Sequence, residues 1–153
     1  MSNAKVGDSQ PSDRDRQNHA VGSVEVDLDG PDPGDAIGYT IFPSEKDAAS
    51  AWDGGKPHPD SDTKITSTQV PSGIGYPAVE ANGSIKGKNA FGQQVSNGGS
   101  VCAAIVGQVV VQGATISTDN ADSGNVPAAC ALLKAGIAHL QTTESHLSQS
   151  GGG

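Results

Sequence analysis

Apolar and polar residues first alternate over Val24, Val26 and Leu28, with Glu25, Asp27 and Asp29 between them, the period-two pattern of a half-buried strand. The Gly-, Pro- and Asp-rich segment after it reads as a turn, and Ile37, Tyr39 and Ile41 repeat the alternation as a second strand. Ser44 with Asp47 three residues on matches a helix capping box, so residues 44–52 are expected to form a short helix with Ala48, Ala51 and Trp52 inward. Residues 53–62 hold too much Gly and Pro to be other than loop. A strand is expected over 64–70, a tight connection over 71–77, and a hairpin from 78–85 and 90–96 around residues 86–89.

Residues 101–115, VCAAIVGQVVVQGAT, are nearly continuous in apolar side chains, as expected of one central strand covered on both faces. After a polar loop, Pro127 suits the first turn of a helix. Ala129, Leu132, Leu133, Gly136, Ile137 and Leu140 then recur at helical spacing as an amphipathic stripe. The predicted fold is α+β: a mostly antiparallel sheet with a short helix and a C-terminal amphipathic helix packed on it, both on one face.

Residues 5–20 are polar, charged and aperiodic. They set the expected division: a disordered tether over 1–20, one domain over 21–143 and a flexible tail over 144–153. Met1-Ser2-Asn3-Ala4 resembles a cloning scar, consistent with a native leader having been removed. The chain of 153 residues fits one domain, but its aromatic supply is two Phe, two Tyr and one Trp against 21 Gly. A core of Val, Ile, Leu and Ala buries less area per residue, so a crosslink would help it.

The net charge of −8 lies wholly in residues 1–62, where thirteen acidic side chains face five basic ones. That balance speaks against nucleic acid or anionic lipid headgroups as partners, since both call for a basic patch. No run of apolar residues approaches a membrane-spanning length.

The two cysteines, Cys102 in the apolar run and Cys130 at the start of the last helix, make one disulfide in an oxidising compartment or two buried thiols in a reducing one. The lean core favours the disulfide. Cys102 falls opposite the more apolar face made by Val101, Ala103, Ile105, Val109 and Val111. Either Gly107 marks a bulge that changes faces, or the disulfide side is the helix side.

Candidate chemistry is thin. Glu25, Asp27, Asp29 and Gly30 match the opening of a calcium loop, but Ala36 stands where the closing Glu belongs. His139 and His146 are two helical turns apart, too far for joint ligation, and a zinc site at Cys102 and Cys130 would need free thiolates. Residues 73–78 offer G-x-G-x-x-A without a helix to follow, and Ser100 lacks the second Gly of a nucleophile elbow. No catalytic residue, metal or cofactor is expected.

Three stretches, VPSGIGYPAVEANG, SVCAAIVGQVVVQGATIS and PAACALLKAGIAHLQ, together resemble the extracytoplasmic domains of actinobacterial, especially mycobacterial, cell-envelope lipoproteins. They are loosely similar to the extracellular sensor domains of membrane kinases. The resemblance spans about residues 35–142. It implies an exported monomer, lipid-anchored in its full-length form, although the anchoring cysteine of that family is absent from this chain. The expected function is non-enzymatic: an ectodomain that binds a small apolar ligand or an envelope protein. The alternatives are a sensor or protein-recognition module without a cavity, and a hydrolase whose site is assembled from scattered residues.

Overall fold

The computed structural model describes residues 4–9, 16–17, 19–28, 35–56, 61–88, 91–117 and 125–151. The two alternating stretches form β2 (Gly22–Leu28) and β3 (Ala36–Ile41), preceded by an edge strand β1 (Ala4–Ser9). Then come α1 (Glu45–Trp52), β4 (Thr63–Gln69), β5 (Ala78–Lys88), β6 (Gln94–Val106), β7 (Val109–Ser117) and α2 (Val126–Gly151). The strands make one sheet in the order β1-β2-β3-β7-β6-β5-β4, each neighbouring pair antiparallel. The α+β class holds.

Four boundaries differ from the sequence expectation. The long apolar run is two strands, because Gly107-Gln108 makes a two-residue hairpin turn between Val106 and Val109. Gly107 has φ +60°, at the first central position, where a type II′ turn needs glycine. The stretch at 94–96 is continuous with Val101–Val106 in β6 and is not a separate strand. Ala4–Ser9, placed in the tether, instead pairs with β2 from Ala4↔Leu28 to Ser9↔Ser23, where the ladder satisfies backbone groups without calling on a large apolar face. The helical backbone also runs to Gly151, through the segment expected to fray.

The helices do not share a face. Ala104 and Val111 belong to the cluster made with Leu133 and Ile137 of α2, whereas their chain neighbours Ile105 and Val110 pack against Phe42, Ala48 and Ala51 around α1. Successive strand residues point to opposite faces, so α1 and α2 cover opposite sides of the same two strands. That is why the 101–115 run is apolar at nearly every position. The disulfide side is the α2 side, since Cys102 lies in the cluster with Ala104 and Val111.

Two glycines set how closely α2 lies on the sheet. A Cβ on Gly113 would run into the backbone of Ala129 and come within 2.7 Å of the Leu133 nitrogen. A Cβ on Gly136 would sit 2.8 Å from Ile37 Cγ2 and 3.0 Å from Val111 Cγ1. The Tyr39 hydroxyl donates to the Gly136 carbonyl at 3.1 Å, and burial pushes its pKa up.

Gly113→Ala should therefore cost about 1–3 kcal/mol, the usual penalty of overpacking a closed interface. Gly38→Ala on neighbouring β3, where a new Cβ meets nothing within 4 Å, should cost much less. Urea denaturation of both variants checks the contrast, and equal costs would show that the seat yields freely.

Candidate functional site

The structure brings Cys102 and Cys130 together as a disulfide, with Cα atoms 4.9 Å apart. Cys102 is fully buried on β6 and Cys130 is half-buried in the first turns of α2. The helix start is fixed from both sides. The Asn125 side chain accepts a hydrogen bond from the Ala128 amide at 3.0 Å, and its carbonyl accepts one from the Thr115 hydroxyl at 3.5 Å. Ser100, the one serine considered as a nucleophile, is 2% exposed and hydrogen-bonded to Thr115 at 2.6 Å. It is half of a buried hydroxyl pair that ties β6 to β7.

Glu80 had no role in the sequence reading. Strand register puts it directly opposite Cys102, and its Oε2 lies 3.5 Å from Cys130 Sγ. A bonded sulfur carries no proton, so this is a contact and not a hydrogen bond. Glu80 and Cys130 line an open groove of about 550 Å³ between the end of β4, residues 70–72 and the first turn of α2. No signal short of the β5–β6 register could have paired Glu80 with the cysteines.

A second concavity, of about 240 Å³, lies on the opposite face of the sheet over β4 to β7. Its floor is Ala81, Gly83, Gly99 and Ala114, and Ile65, Ile85, Val101 and Ile116 stand round it. By register these side chains share the face that α1 covers farther along β6 and β7. Among the described residues, no charged side chain lines the hollow.

The remaining candidates separate. His139 is exposed on α2, and the side chain of His146 lies outside the described residues. Of the acidic run, Glu25 is exposed on β2 and Asp29 and Gly30 lie outside the described residues. Residues 73–77 form a turn that leads into β5, so the G-x-G-x-x-A stretch opens no helix.

His19, Ser44 and Asp47 do converge. The His19 Nδ1 is 3.1 Å from Asp47 Oδ1, and the Ser44 hydroxyl donates to Asp47 Oδ2 at 2.8 Å. The Asp47 amide in turn donates to Ser44 Oγ at 3.1 Å, the side-chain N-cap bond of α1. Imidazole and hydroxyl each bind the carboxylate, on separate oxygens. A nucleophile–base pair needs them bound to each other, with the carboxylate behind the imidazole. With His19 73% exposed, the trio is a helix cap.

No family model, curated protein or solved structure matches the chain. No helix among the described residues is long and apolar enough to cross a membrane.

Two expectations follow. Replacing both cysteines by alanine should lower stability by up to about 3.6 kcal/mol, the chain-entropy value for a loop closed across a separation of 28 residues. Thermal melts of that variant beside the parent measure the loss. Asp47 has its pKa held down by hydrogen bonds from His19 and then Ser44. A depressed carboxylate stabilises the fold above its unfolded pKa and loses that contribution as pH falls through the folded value. The melting-temperature gap between Asp47→Asn and the parent should thus be open at neutral pH and close in acid. A gap constant with pH would show that the ionised carboxylate adds nothing.

Proposed function

We propose that this chain is a non-enzymatic binding domain that works outside the cytoplasm, as a cell-envelope ectodomain, and takes a small apolar ligand in the hollow over β4 to β7. The observation that carries the reading is the composition of that hollow. Its floor is glycine and alanine, its walls are isoleucine and valine, and none of the described residues that line it is charged. Ligand sites are concave and mostly apolar, with few polar groups to fix orientation. Thr63 and Gln112 at the margin supply such groups.

The volume of about 240 Å³ suits a ligand somewhat larger than benzene, which fills an enclosed apolar cavity of about 150 Å³. The four strands beneath it span about 14 Å at the usual strand spacing, which favours an elongated molecule over a compact one. The disulfide supports the extracytoplasmic placement, because such bonds persist in oxidising compartments.

The test is binding of medium-chain fatty acids, followed by displacement of a polarity-sensitive naphthalene dye. Ala114→Leu, which puts three more carbons into the hollow, should weaken binding at least tenfold and leave the melting temperature near that of the parent. Failure of the parent to bind dye or fatty acid, or equal binding by a folded Ala114→Leu variant, would overturn the assignment.

A further inference from the structure

Glu80, Cys102 and Cys130 form a second concentration of chemistry on the α2 face, separate from the hollow. One carboxylate oxygen and the two sulfurs all lie within 4.8 Å of one another. In a tetrahedral zinc site, neighbouring sulfur and oxygen ligands stand about 3.5–3.8 Å apart, from Zn–S near 2.3 Å and Zn–O near 2.0–2.2 Å. The Glu80 oxygen is already 3.5 Å from Cys130 Sγ. The sulfur–sulfur separation has to open, and cleavage of the disulfide opens it.

We propose that reduction converts this crosslink into a three-ligand site for a thiophilic divalent cation, zinc(II) in the first instance, held by Cys102 Sγ, Cys130 Sγ and the Glu80 carboxylate. A dithiol reductant supplies two electrons and two protons, becomes a disulfide itself, and leaves two cysteine thiols. The cation then displaces both thiol protons to solvent. Two thiolates and one carboxylate carry three negative charges, so a bound dication leaves the cluster at −1.

Access is one-sided. Cys102 is fully buried, whereas Cys130 and Glu80 line the open groove, so reductant and cation both arrive from that side. The fourth coordination position faces the groove and takes water. The bound cation does the mechanical work of the disulfide, holding α2 to β6, and adds β5 through Glu80. Because binding releases protons, it weakens as pH falls.

The experiment uses the full chain, reduced with a phosphine under anaerobic conditions and titrated with cobalt(II) and then zinc(II). One equivalent of cobalt should bind with a thiolate-to-cobalt charge-transfer band in the near ultraviolet, and zinc should bleach it. Zinc should raise the melting temperature of the reduced protein by several degrees and leave that of the oxidised protein unchanged. Glu80→Gln should keep the disulfide and the oxidised melting temperature, yet bind zinc at least tenfold more weakly once reduced. Absence of the charge-transfer band overturns the proposal. So does equal affinity in the Glu80→Gln variant, which would mark the metal as captured by two cysteines of an unfolded chain. Circular dichroism during the titration reports whether the chain is folded when zinc binds, and binding without a folded spectrum also overturns it.

Discussion

Helix α2 can lie on the sheet only as closely as Gly113 and Gly136 permit, and most of the architecture depends on that approach. With side chains at those two positions the helix would ride higher. Leu133 and Ile137 would then pull away from Ile37, Ala104 and Val111, the residues that form the larger buried cluster. The Cys102–Cys130 bond is possible for the same reason. Gly113 stands opposite Cys102 in the β6–β7 register, so the helix comes down on β7 beside the cysteine it must reach. Small residues and the crosslink are parts of one solution to a core short of large side chains. Where bulk is scarce, close approach recovers contact area, and the covalent bond limits the unfolded chain.

The readable parts of this fold were those with local causes. The alternation in β2 and β3, the Ser44–Asp47 cap and the Ala129–Leu140 stripe each follow from spacing within a few residues, and all three formed where expected. The disulfide was legible because composition made a crosslink useful and the chain holds only two cysteines. The misplacements came from the sheet. Gly107-Gln108 was hidden inside an apolar run because α1 and α2 cover opposite faces of β6 and β7, which erases the alternation that would mark a turn. Placing both helices on one face was the same error seen from outside. Glu80 became relevant only through register, which depends on the whole hairpin, and the hollow only through the lateral order of four strands.

The two faces of the sheet are finished to different degrees, and the difference is one of helix length. The eight residues of α1 span about 12 Å and pack over β6 and β7 near their shared turn. The longer α2 crosses β7 and β6, with Gly136 set against β3. On the α1 side the sheet carries apolar residues beyond the helix, at Ile65, Ile85, Val101 and Ile116. A protein selected only for a closed core would place polar side chains there, as it does at Ser23 and Glu25, on the same face by register but across β3. The apolar composition persists instead where the glycine and alanine floor makes room above it.

Under the proposed function, this asymmetry would separate a mechanical side of the domain from a receptive one. The α2 side carries the crosslink, the buried Ser100–Thr115 pair and the close helix–sheet seat, so its geometry tolerates little change. On the α1 side the helix packs near the β6–β7 turn, and among the described residues no helix covers the hollow beyond it, so under the proposed function a guest would enter there without displacing one. Rigidity of the floor matters to such a guest, because a sheet that shifted on binding would surrender part of the gain in ordering itself. The backing of β6 and β7 by α2 provides that rigidity from beneath. The same two strands form the underside of the core and the floor of the hollow, so a change in the seat of α2 is felt at the hollow through a single layer of backbone.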